Sequence, residues 1–255
     1  MSSQAAPADL PWVLIVGASS GIGRALAHQW AAEGSRLILA GRDVDDLQRS
    51  ATDLQIRHSV EVRVVALDVL DYSRHHLFWK ECLGIANGSL GGIIVAHGFL
   101  PLQADVQSDL DLMRRTIDTN FTSAGALLTL AANELEARRR GFICVLSSVA
   151  GDRGRQSNYV YCSAKAGLTA FLQGLRNRLF KSNVTVLTVK PGFVDTGMIW
   201  GKPGVFLVAP PECVAADIFR AVRRGRAEIY TPWFWRYIML VIRCIPEFVF
   251  KRMKL

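Results

Sequence analysis

Short, mostly apolar runs recur along the chain, each closed by glycine, aspartate, serine or proline and followed by a stretch with helical spacing. WVLIV (12–16), RLILA (36–40), EVRVVAL (61–67), GIIVA (92–96), GFICVLS (141–147), NVTVLTV (183–189) and AEIYTP (227–232) read as strands. Helical patterns fill 21–33, 43–57, 71–86, 104–138 and 159–181, and Pro211-Glu212 opens another. Strands alternating with helices predict an α/β fold, a single doubly wound parallel sheet of about seven strands with helices on both faces. In that architecture ligands sit at the carboxyl ends of the strands.

Composition agrees with a folded globular chain: 255 residues, half of them hydrophobic and a fifth charged. The five cysteines (Cys82, Cys144, Cys162, Cys213, Cys244) are scattered, without a Cys-x-x-Cys, and read as reduced, mostly buried thiols of a cytoplasmic compartment. MSSQAAPADLP lacks the pattern of a signal peptide. No run reaches about eighteen uncharged apolar residues, so no spanning helix is expected. His75-His76 has no cysteine or acidic partner at ligand spacing, and no metal is expected.

Charge divides the chain. From Arg220 onward there are nine basic and two acidic residues, so that segment holds +7 of the net +8. A basic end on a near-neutral body points to an anionic surface or to a solvated face. Residues 1–232 read as the main domain and 233–255 as an apolar, basic helical extension. If the extension is one helix from Trp233, then Arg236, Arg243, Glu247, Lys251 and Lys254 fall within roughly 80° of one another on an apolar cylinder, at about 100° per residue. Pro246 should kink it. With Trp233, Phe234, Trp235 and Tyr237 nearby, the extension reads as a helix lying in a membrane surface, peripheral on the inner face of the cell membrane. The other reading is an apolar helix packed on the body or on a second subunit of a homo-oligomer. The segment is too apolar and aromatic for an arm tracking nucleic acid, and no nucleic-acid partner is expected.

The candidate chemistry lies in three places. GASSGIG follows the first strand directly and opens a helix, so Gly17, Gly21 and Gly23 permit close approach of a pyrophosphate to the helix N-terminus, in a Rossmann-like arrangement. After the second strand stand Gly41-Arg42-Asp43; Arg42 suits a 2′-phosphate and favours NADP over NAD, while Asp43 either contacts the ribose or caps the next helix. Asp68 can likewise accept from an adenine amino group or cap a helix. Ser148 ends the fifth strand, thirteen residues before Tyr161, which precedes Lys165 by four. That step puts Tyr161 and Lys165 on one helix face, where an ammonium should lower the phenol pKa. Tyr161 then reads as proton donor to a carbonyl, with Ser148 as second donor to the same oxygen. The reaction indicated is ketone reduction. Asn120, inside a helical pattern, must find polar partners. Phe193 to Val208, rich in glycine and apolar residues, suits a substrate lid.

Taken jointly, GASSGIG, Asp68, Asn120, Ser148, Tyr161-x-x-x-Lys165 and Pro191-Gly192 resemble the short-chain dehydrogenase/reductase superfamily over nearly the whole chain. The resemblance implies an oxidoreductase using NADP(H), with Tyr161 as acid/base and Ser148 polarising the substrate oxygen. It implies that Lys165 lowers the Tyr161 pKa and holds the nicotinamide ribose, and that Asn120 orders a relay water. It further implies cofactor contacts from Gly17, Ser19, Ser20, Gly21, Ile22, Gly23, Arg42, Asp68, Val69, Ala96, Gly98, Tyr161, Lys165, Pro191, Gly192, Val194 and Thr196. One departure stands out: Val95-Ala96-His97-Gly98 replaces the usual Asn-Asn-Ala-Gly, and His97 falls at the cofactor edge in a positioning place. Within the superfamily, SSVAGDRGRQSNYVYCSAKAGL and FWRYIMLVIRCIPEFVF are similar to the decaprenylphosphoryl-2-keto-erythro-pentose reductase type. That likeness implies a lipid-linked keto sugar of cell-wall synthesis as substrate. Long-chain lipid ketones (3-ketosphinganine or 3-oxoacyl groups) are the alternative substrates, and a non-catalytic NADP-binding sensor or scaffold is the alternative class.

Overall fold

The computed structural model describes residues 11–202 and 204–253. The stretch read for a signal peptide therefore lies, up to Leu10, outside the described residues, as does Lys254 of the polar stripe. Seven strands form one parallel sheet in the order β3-β2-β1-β4-β5-β6-β7. They are β1 (Trp12–Val16), β2 (Arg36–Gly41), β3 (Val62–Ala66), β4 (Leu90–Val95), β5 (Phe142–Leu146), β6 (Thr185–Pro191) and β7 (Glu228–Thr231). Each expected strand is present, with ends shifted by at most two residues. The order reverses direction between β1 and β4, which opens a crevice at their carboxyl ends.

Helices α1 (Gly21–Ala32), α2 (Val44–His58) and α8 (Pro211–Arg223) cover one face; α3 (His75–Ala86), α6 (Ser123–Arg138) and α7 (Tyr159–Leu179) cover the other. Two apolar layers result, one under Leu14, Ile93 and Leu172, the other under Ile15, Leu39 and Ile218. This is the doubly wound Rossmann-like fold expected from the alternating pattern.

The pattern at 104–138 reads as one helix, and the structure corrects this. α4 (Gln103–Ser108) ends at Asp109, whose side chain caps α5 (Leu110–Ile117) by accepting from Leu112 N at 2.9 Å. A π-helical turn, Asp118–Thr122, then widens the backbone before α6. Beyond β7 the extension is also shorter than the sequence suggests: α9 (Trp235–Cys244) ends before Pro246, and a single turn α10 (Glu247–Phe250) follows. The polar stripe is therefore interrupted. Trp235 and Met239 are buried against Val149 of the main body, so α9 packs on the body. Its outer side still exposes Trp233, Tyr237, Leu240 and Val241. All five cysteines are free; Cys82, Cys144 and Cys162 are buried, while Cys213 and Cys244 are exposed.

Candidate active site

The turn after β1 is shaped by its glycines. Gly17 has φ of +82°, and a Cβ there would stand 2.6 Å from the His97 backbone nitrogen. A Cβ on Gly23 would stand 2.3 Å from the Gly17 carbonyl oxygen. Ser20 caps α1: its hydroxyl donates to Gly17 O at 2.8 Å and accepts from Gly23 N at 3.0 Å. Gly17 and Gly23 thus let the backbone close tightly at the α1 N-terminus, as an anion cradle requires.

In front of it lies a cleft of about 260 Å³ lined by Gly17, Ser19, Ser20, Arg42, Asp68, Val69 and Gly98. A smaller cavity of about 80 Å³ is lined by Ile22, Ala96, Gly98, Ser148, Tyr161, Lys165, Pro191, Gly192, Val194 and Thr196. His97 and Gly98 border both, so the two join across the end of β4. Gly21 lines neither cavity, but it packs against Thr196 of the smaller one: a Cβ on it would meet Thr196 Cγ2 at 2.7 Å. Asp43 and Asp68 both make local hydrogen bonds. Asp43 caps α2, accepting from Asp46 N at 3.0 Å. Asp68 accepts from Leu70 N at 3.0 Å, which forms a turn rather than a helix cap, and still lines the cleft.

Ser148 closes the turn after β5 by accepting from Ala150 N at 3.0 Å. Tyr161 and Lys165 both project from the first turns of α7, with the ammonium 5.7 Å from the phenol ring centre. The expected fall of the Tyr161 pKa is not what the structure gives. Burial pushes it up to about 12, against a smaller opposing pull from a hydrogen bond with Ser148. Burial also lowers Lys165 to about 8. The Lys165 ammonium donates to Leu146 O at 2.9 Å, and desolvation of both groups outweighs their attraction.

Asn120 lines neither cavity but bridges to the turn after β4. Its Nδ2 donates to Phe99 O at 2.6 Å and Thr116 O at 2.8 Å, and its Oδ1 accepts from Phe99 N at 3.1 Å. The π-turn supplies the position from which one side chain reaches both sides. Val95, standing where the resembled pattern has Asn, sits buried between Val16 and Val145 in the ladder, so apolar packing braces that point. His97 Nε2 pairs with Ser123 Oγ at 3.0 Å, and burial depresses its pKa to about 3, leaving a neutral ring.

Three features escaped the sequence reading. Arg24 donates to Ser19 O at 3.1 Å and Ser50 Oγ at 2.8 Å and pairs with Asp46, so α2 braces the glycine turn. Arg115 stacks its guanidinium 5.0 Å from the Phe99 ring and borders the larger cleft. Its spacing one turn before Thr119, another lining residue, was the available signal. Lys202, in the loop expected to act as a lid, donates to Leu100 O at 2.9 Å, tying that loop to the segment after β4.

A glycine-cradled cleft meeting a serine, tyrosine and lysine at the strand ends is the architecture of a nicotinamide-dependent oxidoreductase. Residues 11–203 match the short chain dehydrogenase family. Over 241 residues the chain is 35% identical to an uncharacterised oxidoreductase of Mycobacterium tuberculosis, covering 94% of this chain and 96% of that protein. An uncharacterised oxidoreductase of Streptomyces coelicolor is 36% identical over 246 residues, covering 94% and 95% respectively. Among solved structures, a short-chain dehydrogenase of Sphingobium yanoikuyae in complex with NADPH gives a TM-score of 0.76 at 25% identity, over 93% of this chain and 97% of that one. A bulky-bulky ketone specific alcohol dehydrogenase of Comamonas testosteroni, at 22% identity over 94% and 96%, shares the fold with a TM-score of 0.78. The chain belongs to the short-chain dehydrogenase family and is an NAD(P)-dependent oxidoreductase.

Proposed function

We propose that this enzyme is an NADPH-dependent ketoreductase acting on a ketone carried by a lipid, with the keto sugar of a polyprenyl phosphate as first candidate. The observation that carries the ketoreductase reading is the small cavity in which Ser148, Tyr161 and Lys165 meet beside the glycine cradle. Gly17, Ser19, Ser20, Gly21, Ile22 and Gly23 would hold the pyrophosphate side of NADP(H), with Arg42 at its 2′-phosphate and Asp68 and Val69 at its adenine. Ala96, Gly98, Pro191, Gly192, Val194 and Thr196 would flank the nicotinamide half. When bound, the cofactor supplies the hydride.

Everything else falls to the protein. A phenol held near 12 is fully protonated at neutral pH, which is the state a proton donor to a carbonyl needs. Ser148 holds the carbonyl oxygen, and the Lys165 ammonium stabilises the phenolate left after the proton moves. Asn120 holds the turn after β4 through both amide atoms, which keeps Gly98 against the cofactor cleft. The apolar lid residues Met198 and Ile199 exclude water.

A lipid-borne substrate is supported by the lid and extension together. Phe206 of the lid lies 5.5 Å from the Trp235 ring, and the outer side of the extension presents Trp233, 70% exposed, and Val241, 65% exposed, beside Arg236 and Arg243. Such a face suits peripheral contact with an anionic membrane surface on the cytoplasmic side. No helix among the described residues is long and apolar enough to cross a membrane. The same reading includes self-association, supported by exposed apolar side chains outside the extension such as Leu110 and Phe180.

The test is NADPH oxidation by the full chain over a panel of ketones, including polyprenyl-phosphate keto sugars and long-chain 3-oxo lipids, with Tyr161→Phe beside it. Loss of turnover by at least about 10³-fold with NADPH still bound is expected. Unchanged turnover in Tyr161→Phe would overturn the reading. Turnover only with a water-soluble ketone would remove the lipid part.

A further inference from the structure

The loop between Ser148 and Tyr161 carries two adjacent charged residues that reach in different directions. Asp152 reaches the sheet edge: its Oδ1 lies 2.8 Å from Lys190 Nζ, and its Oδ2 accepts from the Tyr230 hydroxyl at 2.7 Å. Lys190 in turn lies 2.9 Å from Glu228 Oε2 on β7. Arg153 reaches the extension. Its Nη1 donates to Ile242 O and Ile245 O, each at 2.6 Å, and to Arg243 O at 3.3 Å. Its Nη2 pairs with Glu247 at 3.0 Å, and its guanidinium lies over the Phe250 ring at 3.7 Å.

Those carbonyls belong to the last turn of α9 and the residue after it, where intrahelical partners run out; only a long bond from Ile245 N to Ile242 O, at 3.4 Å, is made there by the backbone among the described residues. A cation at a helix C-terminus is also favoured by the macrodipole. Arg153 therefore supplies the C-terminal cap of a helix whose carbonyls stand about ninety positions further along the chain. The guanidinium is 15% exposed and Glu247 78%, so the carbonyls contribute more than the ion pair.

The capped helix presses on the site itself. Trp235 packs with Val149, the residue after Ser148. It also stands directly over Gly192, where an added Cβ would fall 1.9 Å from Trp235 Nε1. Both the loop that carries Ser148 and the turn that lines the small cavity thus rest on α9. The match to the short chain dehydrogenase family ends at residue 203, so this support lies in a segment beyond the matched region.

We propose that Arg153 is a positioning residue that locks the C-terminal extension to the Ser148–Tyr161 loop, so that α9 forms the rear wall of the carbonyl-binding site. The proposal rests on Ser148 and Tyr161 binding the carbonyl. Loosening the lock frees loop and helix together and displaces Ser148 without touching the glycine cradle. Ketone binding suffers, while cofactor binding is kept.

The experiment uses the full chain with Arg153→Ala, Arg153→Lys and, as a matched control, Arg178→Ala. Arg178 makes a comparable set of bonds to Glu136 and Asn133, between α7 and α6. Amide hydrogen exchange over 149–158 and 235–250, NADPH affinity, and KM and kcat for the best ketone of the panel are measured. Arg153→Ala should raise exchange in both segments together and raise KM at least about tenfold, with NADPH affinity within about twofold. Arg153→Lys should recover part of the loss, and Arg178→Ala should leave KM within about twofold. Exchange rising in only one segment, an unchanged KM, or an equal loss in Arg178→Ala would each overturn the proposal. Tyr161→Phe reports separately on the site: full turnover there removes the carbonyl-binding reading, while the exchange arm still decides whether the lock exists.

Discussion

The two ends of the cleft are built by different means. At the cofactor end, Gly17, Ser20 and Gly23 contact one another within six residues of chain, through backbone atoms and one hydroxyl. At the substrate end, Ser148 and Gly192 are backed by side chains that arrive from distant segments, Trp235 and Met239 from α9 and Phe206 from the 193–208 loop, with Arg153 of the Ser148 loop reaching out to α9. A local cradle is specified by a handful of consecutive residues and tolerates almost no change. A wall assembled from afar can vary its lining while the cradle stays fixed, which is how one fold serves many substrates.

The largest effect on cofactor binding should come from breaking the cradle. Gly23→Ala places a methyl group 2.3 Å from the Gly17 carbonyl and 2.8 Å from Ser20 Oγ, with backbone on one side and a cap on the other. NADPH affinity should fall at least about 100-fold in a fluorescence titration, since losing two charge-assisted hydrogen bonds at about 1.5 kcal/mol each is worth that much. Retained affinity would mean that the cradle is more pliable than its geometry implies.

Lys165→Met separates chemistry from stability. Burial lowers Lys165 from 10.5 to about 8, which costs the native state on the order of 3 kcal/mol at pH values below both. The variant removes that cost but leaves the Leu146 carbonyl without its donor, a loss of about 1–2 kcal/mol. Turnover should vanish while Tm at pH 7 rises by about 2–4 °C. The sign follows from proton counting: between pH 8 and 10.5 the unfolded chain holds the proton that the native state has released, so wild-type stability gains as pH rises. The Tm advantage of the variant should therefore shrink across that window. An advantage that grows with pH would reverse the assigned direction.

Arg42→Asp gives the smallest effect of the three, because Arg42 is exposed at the rim of the cleft. The ratio of kcat/KM for NADPH over NADH should move toward NADH by about 10- to 100-fold, with the ketone KM unchanged. An unmoved ratio would take the 2′-phosphate away from Arg42.

What was legible in the sequence follows the same division. The strands, GASSGIG and the Tyr161–Lys165 step are written in consecutive residues, and their periodicity carries them. The break at Asp109 was missed because a cap inside an apolar pattern does not alter the pattern. The direction of the Tyr161 pKa was missed for a deeper reason: the four-residue step shows the nearby ammonium but not the burial of both groups. Arg153 was one basic residue among thirty until α9 had a place. The extension, read either as a membrane-surface helix or as a packed one, has a buried side holding Trp235 and Met239 and an exposed side holding Trp233 and Val241. Packing on the body is observed, and the outer side is exposed.

The cap on α9 also sets a timetable. Ile242 and Ile245 are made after every strand of the sheet, so a nascent chain can finish β7 while Arg153 still lacks its acceptors. Contacts of such long sequence separation close late. The glycine cradle, whose helix α1 packs on α8, can be complete once α8 is made, whereas the rear wall waits for α9. A chain cut short by a dozen residues would retain Ser148, Tyr161 and Lys165 and should still capture dinucleotide. Loss of the segment that holds Ile242 and Ile245 would therefore be felt as a defect in catalysis, in a product with its nucleotide cradle complete.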